Sequence, residues 1–129
     1  MTALLDTSVL IDHLRGDGRA HRAIKALDER GTGLSASVLT KVELLAGMRS
    51  AERSATRRLI EAIAWIDVDD DLAERAGELA SRFLKSHPGI ELVDYVIAAT
   101  AQRMGADLVT RNRKHFPMFP GLPDPYSPT

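Results

Sequence analysis

The fold is decided by one stretch of the sequence, Leu4-Leu5-Asp6-Thr7-Ser8-Val9-Leu10-Ile11-Asp12. A short apolar run ends at Asp6, two hydroxyl residues follow, and a second apolar run begins at Val9. This order is typical of an acid at the C-terminal end of a parallel strand, where a helix begins. Ligands bind at that edge of open α/β sheets, so we expect other acids to converge on Asp6.

Length and composition narrow the class of protein. The 129 residues suit one domain, 1–129, whose residues 117–129 form a Pro-rich tail. The absence of cysteine excludes disulfides, thiolate metal sites and cysteine nucleophiles. The net charge of −1 carries no overall basic signature of a nucleic-acid binder. We expect a cytoplasmic protein with no signal peptide and no membrane contact, because the longest apolar run, 95–101, is too short to span a bilayer.

Short apolar segments alternate with helical patterns along the chain. Strands are predicted at 2–5, 34–36, 65–68 and 106–110, with an edge strand near 118–119. Helices are predicted at 11–15, 19–30, 37–47, 51–64, 70–86 and 91–104. Strands alternating with helices predict a helix-covered, mainly parallel sheet of four to five short strands.

Two further acids lie in apolar helical sequence. Glu43 lies beside Val38, Val42 and Leu45, which we expect to form a core stripe; it is either a rim residue paired with a cation or part of a buried site. Asp94 lies in the most apolar helix of the chain. It is either part of the same site or an N-cap satisfied by backbone N–H groups.

A polar turn follows the last strand. Thr110 and Asn112 are candidates to bind a metal-bound water or a phosphate, although turns commonly contain such residues for conformational reasons alone. Arg111, Arg113 and Lys114 would suit phosphate oxygens. Carboxylates that share one pocket repel each other unless a divalent cation or a proton is present. Oxygen ligands favour Mg²⁺ or Mn²⁺, and hydrolysis of a phosphate ester is the reaction typical of such a site.

Four motifs occur in order and cover essentially the whole chain. They are Asp6-Thr7-Ser8-Val9-Leu10-Ile11-Asp12, Glu43-Leu44-Leu45-Ala46-Gly47, Asp94-Tyr95-Val96-Ile97-Ala98-Ala99-Thr100-Ala101, and Leu108-Val109-Thr110-Arg111-Asn112 with His115-Phe116. In this series the chain resembles the PIN-domain ribonucleases and, more narrowly, the VapC toxins of bacterial toxin–antitoxin pairs.

The resemblance implies a three-layer α/β/α fold and Mg²⁺- or Mn²⁺-dependent cleavage of RNA that leaves 5′-phosphate and 3′-hydroxyl ends. It makes Asp6, Glu43 and Asp94 the catalytic acids. Asp6 and Asp94 would bind the metal directly and Glu43 through water, while Ser8 would orient Asp6 or a bound water. Members of the family often have a fourth acid where this chain has Asn112, so we expect one firmly bound ion.

The resemblance also implies partners. Family members usually form homodimers, and an antitoxin protein inserts a basic or bulky segment into the acidic pocket. The pair binds its own promoter DNA through the antitoxin. The low aromatic content favours a structured RNA substrate, such as tRNA or rRNA, over a long single strand. The candidate RNA-binding cations form a basic rim: Arg15, Arg49, Arg53, Arg111, Arg113 and Lys114.

Other classes remain open at this point. A phosphoacceptor signalling domain has a similar length, but the first strand here carries one acid instead of a pair. A haloacid-dehalogenase-like phosphatase needs Asp-x-Asp, and this chain has Asp6-Thr7-Ser8. A non-catalytic domain that binds RNA or protein is the third alternative; the three acids argue against it, but the neutral Asn112 leaves it open. No role is assigned to His115.

Overall fold

The computed structural model describes residues 1–126 and contains a parallel sheet flanked by helices. The strands are β1 (Thr2–Leu5), β2 (Gly33–Ser37), β3 (Ala64–Ile66) and β4 (Asp107–Val109). The α-helices are α1 (Thr7–Leu14), α2 (Gly18–Glu29), α3 (Val38–Ala46), α4 (Arg53–Ala62), α5 (Asp70–Phe83) and α6 (Leu92–Met104). The last three residues of the predicted Pro-rich tail, 127–129, lie outside the described residues.

All strand pairs are parallel, in the spatial order β3-β2-β1-β4. Strand β1 is central, and its side chains alternate between two cores, as the period of a strand requires. Leu4 packs in the core that contains α5 and α6, whereas Ala3 and Leu5 pack in the core on the other face. The helices therefore cover both faces, which confirms the predicted three-layer fold with a four-stranded parallel sheet.

The helix that follows β1 begins earlier than predicted. It starts at Thr7 instead of residue 11, because Asp6 already has the extended backbone of an N-cap residue. The backbone carbonyl of Asp6 accepts hydrogen bonds from Val9 N at 3.2 Å and Leu10 N at 3.4 Å. The start of α1 therefore lies directly at the strand end, and it brings Thr7 and Ser8 into the first turn.

The predicted core stripe on α3 is wrong. Val42 is 61% exposed and Leu45 is 42% exposed. The buried residues of this helix are instead Thr40 and Leu44, which lie one turn apart. Apolar spacing identified the helix but selected the wrong face, because the side of α3 that meets α1 contains a polar contact through Thr40.

The predicted edge strand near residues 118–119 is also wrong. Residues 117–121 form turns, and Phe119 N donates to the Phe116 carbonyl at 3.0 Å. Proline at 117 and 120 lacks the N–H that a sheet ladder needs, so this segment cannot pair regularly. The side chain of Phe116 is buried in the core, and those of Met118 and Phe119 pack against it.

The helices of the described residues are short. The longest helix within residues 1–126 is α5, with 14 residues. None of the helices in this part of the chain has the length and hydropathy needed to span a bilayer.

Candidate active site

The carboxylate of Asp6 is buried, with 4% of the residue exposed, at the C-terminal end of β1. It does not cap the helix that begins beside it. Its Oδ2 instead accepts hydrogen bonds from Ser8 Oγ at 2.8 Å and Thr110 Oγ1 at 2.7 Å. Its Oδ1 has no hydrogen bond within residues 1–126. One oxygen is therefore fixed by the protein and the other is available to a ligand.

The turn after β4 orients those two hydroxyls. Thr110 Oγ1 accepts from the backbone N–H of Asn112 at 2.9 Å, and Ser8 Oγ accepts from that of Arg111 at 3.2 Å. Because each hydroxyl accepts from a backbone donor, its own proton is directed to Asp6. Asn112 therefore contributes its backbone here, and its side-chain amide has no hydrogen bond to the described residues.

Glu43 is fixed by Thr7, a residue that the sequence interpretation did not select. Thr7 Oγ1 donates to Glu43 Oε1 at 2.7 Å and lies 3.0 Å from Thr40 Oγ1. Among the described residues, no lysine or arginine forms an ion pair with Glu43, so the alternative of a rim ion pair is wrong. The position of Thr7 beside Asp6 was the available signal, because the first turn of α1 continues from the strand end.

Asp94 is half-buried in the first turn of α6. Its Oδ2 accepts from Glu91 N at 3.0 Å, so it does part of the capping that the alternative interpretation proposed. The same oxygen lies 3.2 Å from His115 Nδ1. Burial raises the pKa of Asp94 and the negative charge of Asp6 adds to this, whereas the Glu91 N–H and His115 oppose it. His115, which had no predicted role, therefore contacts a candidate catalytic acid.

These contacts indicate how the site fits a divalent cation. The negative charge of Asp6 contributes to the raised pKa of Asp94, and both carboxylates offer the hard oxygen donors that Mg²⁺ and Mn²⁺ prefer. Within residues 1–126, however, no group of three or more acidic or histidine side chains has the geometry of a complete cation cage. The carboxylate oxygens of Asp6 and Asp94 therefore fit an ion that keeps several waters.

Only some cations of the predicted basic rim lack a partner within residues 1–126. Arg15 pairs with Glu52 at 3.0 Å, Arg111 with Asp12 at 3.4 Å, and Arg113 Nη1 donates to the Leu122 carbonyl at 3.3 Å. The remaining rim cations are exposed and form no ion pair with described residues: Arg49, Arg53 and Lys114.

A small cavity of about 20 Å³ lies between α1 and α3. Arg15, Glu43 and Glu52 all line it. The Arg15–Glu52 ion pair therefore lies close to Glu43.

Comparison with known proteins places this arrangement in a family. The family model for the PIN domain matches residues 3–120. The chain belongs to the PIN-domain family. Ribonuclease VapC19 of Mycobacterium tuberculosis is 46% identical to this PIN domain over 123 residues, 95% of this chain and 98% of that protein. Ribonuclease VapC10 of the same species is 40% identical over 124 residues, 96% of this chain and 92% of that protein.

Solved structures agree with this family assignment. A chain of a toxin–antitoxin complex from Klebsiella pneumoniae superposes on this PIN domain with a TM-score of 0.79 and 32% sequence identity. The match covers 96% of this chain and 98% of that chain. The resemblance to VapC proteins that the four sequence motifs indicated is therefore confirmed.

Proposed function

We propose that this PIN domain is a divalent-cation-dependent endoribonuclease, the toxin of a VapBC-type toxin–antitoxin pair. One observation carries the proposal: the buried carboxylate of Asp6 and the half-buried carboxylate of Asp94 each have one oxygen fixed by protein donors, and the charge of Asp6 contributes to the raised pKa of Asp94. The ribonuclease names of the relatives that are 46% and 40% identical support the same reaction.

Each acid has a proposed role in phosphodiester hydrolysis. Asp6 and Asp94 bind one Mg²⁺ or Mn²⁺, and Ser8 and Thr110 hold Asp6 in the binding orientation. When bound, the ion stabilises charge on the phosphate and lowers the pKa of the attacking water. Glu43, held by Thr7, orients that water and accepts its proton. The bond between phosphorus and O3′ then breaks, which leaves a 5′-phosphate and a 3′-hydroxyl.

Substrate binding is proposed to rely on phosphate contacts. Arg49, Arg53 and Lys114 are exposed cations, and Arg15 and Arg111 would exchange their carboxylate partners for phosphate oxygens. Binding would therefore weaken steeply with salt. The chain has few aromatic residues for base stacking, which supports a structured RNA such as tRNA or rRNA as the substrate.

An antitoxin is the proposed protein partner, and the toxin–antitoxin complex that is 32% identical supports it. A basic side chain of the antitoxin would neutralise Asp6 and Asp94 and exclude both metal and RNA. The pair would bind promoter DNA through the antitoxin, and the toxin would act in the cytoplasm.

The exposed Val42, Leu45 and Leu92 offer apolar surface for contacts with the antitoxin or for a homodimer. Sedimentation of the purified chain tests the dimer.

The decisive test is RNA cleavage by purified protein with and without Asp6→Asn. We expect Mg²⁺- or Mn²⁺-dependent cleavage that falls by more than about a hundredfold in the variant, because a ligand to the ion is lost. Asp28→Asn makes the same chemical change at an exposed position on α2 and should leave the rate unchanged. Undiminished cleavage by Asp6→Asn would refute the proposed mechanism, and RNA binding without cleavage would support the non-catalytic alternative.

The substrate can be identified separately. Brief expression of the toxin followed by sequencing of cellular RNA ends should show new 5′-phosphate ends at a few positions. The same experiment with Asp6→Asn is the control, because ends that depend on the carboxylate come from this site.

A further inference from the structure

A cleft with a volume of about 740 Å³ lies between α2, β4 and the segment 122–126. Its floor is apolar and includes Ala26, Leu27 and Leu122. Its size is in the range of cavities that bind ligands. The lining residues do not include Asp6, Glu43 or Asp94, so the cleft is separate from the candidate active site.

Tyr126, on the outer wall of the cleft, is held in place by contacts with Asp12 and Arg19. The Tyr126 hydroxyl donates to Asp12 Oδ2 at 2.6 Å, and the Arg19 guanidinium lies 4.9 Å from the centre of the Tyr126 ring. Burial and the bond to Asp12 raise the pKa of Tyr126, so the hydroxyl stays protonated and continues to donate. Pro123 and Pro125, which also line the cleft, have no N–H and cannot pair with β4 as a strand.

The inner wall is the edge of the sheet. Strand β4 pairs with β1 on one side, and within residues 1–126 no strand pairs with its other side. All three residues of β4, 107–109, line the cleft. An unpaired strand edge offers backbone N–H and C=O groups to any extended chain beside it. The cleft is therefore shaped for the addition of a strand.

The charge of the cleft is mainly positive. Arg19, Arg22 and Arg30 line it from α2, and Asp107 is its one acidic lining residue among those described. Arg19 is already paired with Asp17 at 2.9 Å, whereas Arg22 and Arg30 form no ion pair with any residue in 1–126. Two cations are thus available to a ligand beside an apolar floor.

We infer that this cleft binds an extended acidic segment of a partner polypeptide, which pairs with β4 as a fifth strand and places carboxylates against Arg22 and Arg30. Single-stranded RNA suits the cleft less well, because base stacking needs aromatic rings, and Tyr126, the one aromatic residue in the lining, already has the Arg19 guanidinium over its ring. The inference does not depend on the proposed nuclease activity, since the cleft and the carboxylates share no residue.

The probe is a fluorescein-labelled peptide of about seven residues with alternating Glu and Val, a typical strand length and pattern. We expect fluorescence anisotropy to show binding that weakens between about 50 and about 300 mM NaCl, and no binding of the Lys-Val counterpart. Hydrogen exchange should show new protection of the amides of residues 107–109. The double variant Arg22→Glu/Arg30→Glu should bind about tenfold more weakly, because two attractions become repulsions.

Two further variants serve as controls for a general effect of charge and for misfolding. Arg82→Glu/Lys85→Glu makes the same change in charge at exposed positions outside the cleft and should bind like the wild type. Asp107→Asn removes the one opposing charge and should tighten binding about twofold, a gain that misfolding cannot produce. Absence of peptide binding, equal loss in both double variants, or tighter Arg22- and Arg30-dependent binding of a fluorescein-labelled oligouridine would each overturn the inference.

Discussion

Replacing Thr110 by valine tests how the site holds a buried charge. Thr110 is 1% exposed, and its hydroxyl donates to Asp6 Oδ2 at 2.7 Å. Valine has nearly the same shape but has no hydroxyl, so the carboxylate of Asp6 would keep only the bond from Ser8 and the Asn112 N–H would lose its acceptor. A hydrogen bond to a charged group contributes about 1.5–3 kcal/mol, so Thr110→Val should lower the free energy of unfolding by about 2 kcal/mol.

The assay is urea denaturation in the presence of a chelator, so that no metal compensates for the lost donor. With a typical urea dependence, about 2 kcal/mol lowers the midpoint by about 1 M. Thr110→Ser retains the hydroxyl and should recover most of the loss. In an Asp6→Asn background the same Thr110→Val change should cost only about 1 kcal/mol, because the hydrogen bond there is between neutral groups.

Thr100→Val is the matched control. Thr100 is also fully buried, but its hydroxyl donates to the Val96 carbonyl one turn earlier in α6. That carbonyl keeps its helical partner after the substitution, so we expect a cost below about 1 kcal/mol. If Thr110→Val and Thr100→Val destabilise the protein equally, or if the Asp6→Asn background leaves the cost unchanged, Thr110 does not stabilise the Asp6 charge.

Three further predictions concern the pocket and the core. Burial raises the pKa of Asp94, so the carboxyl group keeps its proton to a higher pH in the folded protein than in the unfolded chain. The protonated carboxyl therefore stabilises the fold of the wild type at low pH, and this stabilisation is lost as the pH rises through the raised pKa. Asp94→Asn should therefore gain stability relative to the wild type between about pH 4 and about pH 8, measured by urea denaturation with chelator, and a constant difference would contradict this. EDTA should abolish RNA cleavage and excess Mg²⁺ or Mn²⁺ should restore it; cleavage that persists in EDTA would exclude the metal mechanism. Leu72→Ala, at a fully buried position, should cost about 3 kcal/mol, whereas Leu92→Ala, at a position 69% exposed, should cost less than about 0.5 kcal/mol, and equal costs would contradict the packing described.

Several boundaries of strands and helices were predictable because the signals that set them are local. The apolar run 2–5 ends at an acid, and Ser37 caps α3 by accepting from Leu39 N at 3.2 Å, as its position before the helix indicated. Gly105 ends α6 in the left-handed conformation that glycine favours. Each of these features depends on a few neighbouring residues, so it is visible without the tertiary structure.

The contact between Asp6 and Thr110 was predictable by a topological argument. Parallel strands present their C-terminal ends at one edge, and this places Asp6 and Thr110 side by side. The catalytic roles of the three acids stay predictions. The contacts of Thr7 and His115 were not predictable, because they depend on where α1 begins and on how the turn after β4 folds.

Two of the wrong predictions, the core stripe on α3 and the edge strand near 118–119, rest on apolar residues alone. Val42 and Leu45 have helical apolar spacing, but spacing does not show which helix face another element covers. Likewise, Met118 and Phe119 are apolar enough for a strand, but they pack as turn residues because nearby prolines remove backbone donors. In both segments the apolar residues alone therefore did not decide the structure.

The bond between Thr110 and Asp6 also has a consequence for synthesis of the protein, since it joins residues 104 positions apart. During translation, Asp6 emerges first and its partner on the turn after β4 emerges 104 residues later. A nascent chain can form α1 and α2 early, but the strand pair that completes the pocket must wait for distant sequence. A ribosome-bound fragment that ends before residue 107 would therefore lack one wall of the site, and the hydrogen bond that fixes Asp6 Oδ2 cannot form until residue 110 has emerged.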